Sequence, residues 1–228
     1  MISGGIILTA TTELIFRTMG ITKRMGTGNH KVRYYADGES METLEDILAA
    51  EDSPTSTLRV LIVGKRPVRK SVDAGHYFQG REGRGMWNRL LEWQLIRVPR
   101  GAYEDDHLLA NGWGITDVVK VPGEFGEEPT PQQYRLGSQR LRRVIQEHHP
   151  SILLFVYKTA LQAFLASMDI DGSGAHYGFN DKLNPDLQGV GIKSRVFLFP
   201  MNGRRDAPVE VIEAAMRELS EATSGLAR

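Results

Sequence analysis

At 228 residues the chain is long enough to bury one substantial α/β core, and its lack of cysteine excludes disulfides, thiolate zinc sites, iron–sulfur clusters and cysteine nucleophiles. Lys plus Arg and Asp plus Glu number 28 each, so net charge points to no polyanionic partner; yet from Lys65 to Arg100 nine basic residues stand against three acids. The apolar segment Ile6–Ala10 is too short to span a membrane and follows no basic leader, so an unexported cytoplasmic protein is expected, nucleoid-associated if bacterial.

Residues 1–40 read as an added arm or hairpin, with strand-like pieces at Gly5–Thr12 and Lys31–Tyr35, and residues 41–228 as the main domain. Ser40 is placed to cap a helix whose Leu44, Ile47 and Leu48 have i, i+3, i+4 spacing. Val60–Val63 is a continuous β-branched run closed by Gly64 and Pro67, the pattern of a buried parallel strand. Such sheets bind ligands beyond the carboxyl ends of their strands, which directs attention to Gly64–Pro67.

Gly80–Gly85 reads as a flexible basic turn into a helix of about residues 85–96 carrying Trp87, Leu90, Leu91 and Leu95, with Arg84 and Arg89 facing outward. A strand follows at Gly114–Val121, then a helix bearing Leu141, Val144 and Ile145. Ile152–Val156 is a further apolar strand, Ala160–Ala166 a helix, Val196–Phe199 the last strand, and Val209, Ile212, Met216 and Leu219 mark the closing helix. The alternation predicts an α/β fold, a three-layer α/β/α sandwich around a mostly parallel central sheet.

Lys65, Arg66, Arg69 and Lys70 suit either a solvated loop or phosphate contacts, and their place after a strand favours the latter. His107 and the pair His148–His149 read as surface or helix-end residues, and no His and acid pair has the spacing of metal ligands. Gly80–Gly85 lacks a preceding strand and a Lys-Ser/Thr ending, so it is not a phosphate-binding loop.

The order of Glu45–Leu48, the strand to Gly64, Gly75–Phe78, Trp87, Asp105–His107, Gly114–Thr116, Lys158 and Phe199–Pro200 resembles the uracil-DNA glycosylase superfamily, in particular its mismatch-specific uracil and thymine branch. The resemblance runs from about Leu44 to Leu219. It implies a monomeric base-excision repair enzyme that needs no metal or cofactor, flips a damaged or mispaired base from DNA and hydrolyses its N-glycosidic bond. Phe78 stands where the family stacks the base, with Gly64, Lys65 and His76 around it, and Arg69 and Lys70 flank it for DNA binding. The loop with Asn202, Gly203, Arg204 and Arg205 takes the position that enters the minor groove, an arginine serving as wedge.

The branch's first motif is Gly-Ile-Asn-Pro, whose Asn holds the attacking water; this chain has Gly64-Lys65-Arg66-Pro67, and Met201-Asn202-Gly203 departs from the second motif. A unit charge from Arg66 about 4 Å from the oxocarbenium-like sugar would oppose cleavage by roughly 4 kcal/mol at an effective dielectric near 20. Three readings stay open: Arg66 turns away, a nearby carboxylate such as Asp73 positions the water, or the protein binds DNA or lesions without cutting. A hydrolase of nucleosides or another small molecule is the rival from outside DNA repair.

Overall fold

The computed structural model describes residues 29–36, 38–49, 58–201 and 207–225. The expected strand at Gly5–Thr12 and the loop residues Asn202, Gly203, Arg204 and Arg205 lie outside the described residues.

Strands β1 (Lys31–Ala36) and β2 (Glu39–Leu44) form an antiparallel hairpin, with Gly38 at φ +81° in its turn. This corrects the helix expected from Ser40. Ser40 lies in β2, opposite Tyr35, and Leu44 and Ile47 reach the core without a helix. Ile47 then bridges Ile115 by backbone hydrogen bonds, so the segment after the hairpin runs along the edge of the main sheet.

That sheet contains β3 (Val60–Gly64), β4 (Trp113–Asp117), β5 (Ile152–Phe155), β6 (Gly178–Phe179) and β7 (Arg195–Leu198) in the order β4-β3-β5-β7-β6. All neighbours are parallel except β6 with β7. The helices between them are α1 (Arg69–Ala74), α2 (Arg81–Glu92), α3 (Pro131–His148), α4 (Lys158–Ala166), α5 (Asn184–Gly189) and α6 (Val209–Gly225).

Strand pleating divides the core in two. Val60, Ile62, Ile115, Leu154 and Phe197 face Met86, Trp87 and Leu90 of α2 and Ile212, Met216 and Leu219 of α6. Leu61, Val63, Leu153, Phe155 and Val196 face Leu141 and Ile145 of α3 and Leu161 and Phe164 of α4. The three-layer α/β/α sandwich expected from the alternation is therefore present. No helix among the described residues is long and apolar enough to cross a membrane.

Three local expectations change. Helix α2 begins at Arg81, so Gly80–Gly85 is not a flexible turn: Gly80 is the N-cap and the rest is helical. A Cβ on Gly83 would lie 2.2 Å from the Phe78 carbonyl oxygen, and that close packing explains glycine inside a helix. Arg89 does not face outward; it is half-buried, its guanidinium lies over Phe199 at 5.8 Å, and it donates to the Pro200 carbonyl. Strand β4 stops at Asp117 rather than Val121, and the chain beyond turns across the sheet's carboxyl edge.

Candidate active site

Gly64 and Asp117 end β3 and β4 side by side in parallel register. Asp117 shares its pleat direction with Trp113 and Ile115 and so points to the layer that holds α2. A Cβ on Gly64 would lie 2.0 Å from the Asp117 Oδ1, so only glycine leaves room for this carboxyl. On the other strand face, Arg140 of α3 binds the Asp117 carbonyl, Thr116 and Asp46, which pins the backbone while the Asp117 side chain turns away.

The Asp117 carboxyl is fully buried, and neither of its oxygens has a hydrogen-bond partner among the described residues. Burial raises its pKa to about 7, assisted by the negative Asp46 and opposed by Lys120 and Arg140. Asp46 behaves oppositely. Burial also pushes it up, but Arg140, Lys120 and the Thr116 hydroxyl outweigh this and hold it well below the usual carboxylate range. Of two neighbouring acids, one is therefore ionised in an ion-pair network and the other sits near its titration point.

Phe78 faces the same space, its ring Cζ 3.1 Å from the position of a Gly64 Cβ. Its backbone is left-handed at φ +56°, an uncommon conformation for a bulky residue that must be held by its surroundings. The hold is visible on both sides. The Tyr77 N–H donates to Asp105 at 2.7 Å, the Tyr77 hydroxyl donates to the Glu45 carbonyl at 2.8 Å, and Trp87 Nε1 donates to the Tyr77 carbonyl at 3.1 Å. The Phe78 ring meets Trp87 edge-on at 6.1 Å while Gly83 packs beneath its backbone.

Tyr77, Phe78, Gly83 and Asp117 border a cavity of about 290 Å³, lined also by Arg66, Phe125 and Tyr157. Phe125 is 72% exposed at its mouth, in the loop between β4 and α3. That loop is tied to the first motif: the Gly123 N–H donates to the Pro67 carbonyl at 3.0 Å and the Arg69 N–H to the Gly123 carbonyl at 3.2 Å.

Of the residues expected in the site, the structure brings together Arg66, Arg69, Lys70 and Phe78 around this cavity, with Gly64 packed behind Asp117 and Phe78. Arg66 is buried with its guanidinium over Gly123, donating to the Val121 and Pro122 carbonyls at 3.1 and 2.6 Å and lying 3.6 Å from Glu127. Lys65 pairs with Glu128 and Arg69 with Glu124, so the basic loop is matched by acids of the facing loop, while Lys70 is exposed.

Asp73 and His76 are placed elsewhere. Asp73 is on the exposed side of α1 and does not line the cavity, which removes it as a candidate for the water partner. His76 is buried behind Phe78, its Nδ1 2.9 Å from Asp105 and its ring stacked on Tyr103, also outside the cavity lining. Sequence reading missed Asp117, taken for a strand residue, and the exposed aromatic Phe125.

The structure thus defines a three-layer α/β protein with an aromatic-walled cavity at the carboxyl edge of its parallel sheet, floored by a buried carboxyl group. Residues 51–201, more than half of the chain, match the family model of the Uracil DNA glycosylase superfamily. The chain belongs to that superfamily. Membership points to a DNA glycosylase-type repair function with DNA as the bound substrate.

Proposed function

We propose that this protein is a monofunctional DNA glycosylase of the mismatch-specific uracil and thymine branch, acting as a monomer on a base flipped into the cavity lined by Phe78 and Asp117. The observation that carries this reading is the pairing of an aromatic wall with a buried carboxyl whose oxygens have no partner among the described residues. A flipped base needs a stacking face and hydrogen bonds at its edge. Phe78 supplies the face. A protonated Asp117 supplies one donor and one acceptor, which suits the carbonyl and N–H edge of uracil or thymine.

The same carboxyl gives catalysis a source. As the glycosidic bond breaks, the sugar becomes positive and the base takes the bonding electron pair. The Asp117 O–H donating to a base carbonyl oxygen then strengthens, because hydrogen bonds to a charged partner contribute about 1.5–3 kcal/mol against about 0.5–1.5 for neutral ones. Water adds to the sugar carbon, its hydroxyl stays there and its proton ends on the released base. Arg66, turned to the Val121 and Pro122 carbonyls and Glu127, keeps its charge engaged away from the sugar.

Lys70 beside the cavity and Arg204 and Arg205 in the 202–206 loop contact phosphates or the vacated stack in this reading. Phe125 at the mouth stacks on a neighbouring base. One observation favours a second reading, a catalytically impaired lesion-binding module: the first-motif position that holds water in the branch is Arg66, committed to carbonyls. The test is incubation with oligonucleotides carrying uracil, mispaired thymine, hypoxanthine or xanthine, single- and double-stranded, with released base measured by mass spectrometry. Free base supports the glycosylase; retained lesion-selective binding without free base supports the module.

A further inference from the structure

Behind Phe78, outside the cavity, three segments distant in sequence converge. His30 precedes β1, His76 follows α1, and Asp105 and Asp106 occupy a single helical turn, Asp105–His107. One ligand atom from each of the four lies within 4.8 Å of the others. His30 Nε2 is 2.8 Å from Asp106 Oδ1 and 4.0 Å from Asp105 Oδ2, and His76 Nδ1 is 2.9 Å from Asp105 Oδ1 and 4.0 Å from Asp106 Oδ1. Each carboxylate thus approaches both imidazoles. A tetrahedral ion with bonds of about 2.0–2.1 Å requires ligand separations of about 3.3–3.4 Å, within the span of these four distances.

The outer partners fix which atoms face inward. The other nitrogen of His30, Nδ1, lies 3.2 Å from Glu45 Oε1, so a ring that donates Nδ1–H to Glu45 has Nε2, 2.8 Å from Asp106, as its ligating atom. Asp105 accepts the Tyr77 N–H through Oδ2 at 2.7 Å and turns Oδ1 to His76. The possible ligand atoms therefore converge at a point bordered by three buried residues, with Asp106 on its solvent side. A carboxylate on the far nitrogen of a ligating histidine is also the usual outer support of a metal site.

We propose that His30, His76, Asp105 and Asp106 bind one divalent transition-metal ion, with zinc the best match to a four-coordinate set of two nitrogens and two oxygens. Mg²⁺ and Ca²⁺ prefer all-oxygen sets and suit it less well. The ion lies away from the cavity and has a structural role. It ties the chain before β1 and the turn at Asp105–Asp106 to His76, two residues before Phe78, and so holds the left-handed Phe78 in place.

The test uses the full-length protein stripped of metal with a chelator, then titrated with Zn²⁺ in competition with a chelating dye and, separately, with Co²⁺. The proposal predicts one equivalent of tightly bound Zn²⁺, intense visible d–d bands of four-coordinate Co²⁺, and a Tm rise of about 5–10 °C at a hundredfold excess over Kd. His30→Ala and the conservative Asp106→Asn should each weaken binding by more than about 100-fold, and Glu45→Gln by about 10-fold, with circular dichroism unchanged for Asp106→Asn. Absence of stoichiometric binding to wild type would overturn it, leaving a hydrogen-bonded cluster of histidines and carboxyl groups. So would binding that survives Asp106→Asn and His30→Ala unchanged, or weak six-coordinate Co²⁺ bands. Because binding and melting are read without DNA, failure here is distinguishable from failure of the glycosylase reading.

Discussion

Replacing Asp117 by asparagine separates the two roles its carboxyl can play, because asparagine keeps an N–H donor and a carbonyl acceptor but does not titrate. The wild-type carboxyl has a folded pKa of about 7 against an unperturbed 3.8, with burial the main cause. Lys120, Arg140, Asp46, Tyr77 and Tyr157 are ionisable groups that interact with it, and Asp46 stays ionised throughout the range above pH 4. With Asp117 acting as the proposed donor, the active form in single-turnover excision is the protonated acid. The wild-type rate should be flat below about pH 7 and fall close to tenfold per pH unit above it, while Asp117→Asn should stay flat through pH 8.5 and overtake wild type there. Asp117→Ala, lacking the donor, should lose about 100-fold at pH 6.

Stability gives an independent reading of the same group. A carboxyl whose folded pKa is raised carries no penalty when protonated in both states, below about pH 4. It destabilises progressively as pH rises through about 7, because the unfolded state ionises first. The rise from 3.8 to about 7 is worth about 4 kcal/mol. Asp117→Asn should therefore match wild type in Tm near pH 4 and exceed it at pH 8 by about 8–16 °C for a domain of this size. A wild-type rate that rises through pH 7, with Asp117→Asn as inactive as Asp117→Ala, would refute the neutral-donor role and make the carboxylate the working form.

Other consequences follow from particular contacts. Gly83→Ala places a Cβ 2.2 Å from the Phe78 carbonyl, and should lower stability by about 1–3 kcal/mol in urea unfolding. Arg66→Lys cannot reproduce the fork to Val121 and Pro122 and should cost about 1–3 kcal/mol by the same assay without restoring a missing activity. Asp46→Asn leaves Lys120 and Arg140 short of their carboxylate and should destabilise by about 3–5 kcal/mol at pH 7. Since the Asp46 pKa is depressed, this difference should be full above about pH 4 and shrink as pH falls below it, as thermal melts would show. Phe125→Ala should weaken binding to single-stranded DNA by about 1–3 kcal/mol, measured by fluorescence anisotropy.

The layered sheet was legible because β3, β5 and the Val196–Leu198 part of β7 are continuous apolar runs and the longer helices carry apolar stripes. Of the hairpin, the first strand was legible as Lys31–Tyr35 and the second was not, since Leu44, Ile47 and Leu48 fit helical spacing as well as strand. The better signal was Asp37-Gly38 between two six-residue runs, the sequence of a tight hairpin turn. Gly80–Gly85 misled because glycine argues for a turn, whereas Gly83 is required by the approach of α2 to Phe78.

Phe78 was found through its motif, but Asp117 was hidden as an acid at the end of a strand. Only parallel register with Gly64 reveals that its side chain enters the cavity. Arg66 posed the reverse difficulty: its identity was evident and its direction was not, because the carbonyls that hold it lie more than fifty residues downstream. The cluster of His30, His76, Asp105 and Asp106 has no spacing signature, since its three segments are brought near only by folding.

The most direct measurement is single-turnover excision from duplexes carrying uracil or mispaired thymine, by wild type and Phe78→Ala in parallel, with binding to undamaged duplex measured beside it. A cavity that stacks and releases the base predicts abasic product from wild type, a loss of about 10–100-fold for Phe78→Ala, and equal binding of undamaged DNA by both. Equal excision rates, or no abasic product from a wild type that still binds DNA, would contradict it.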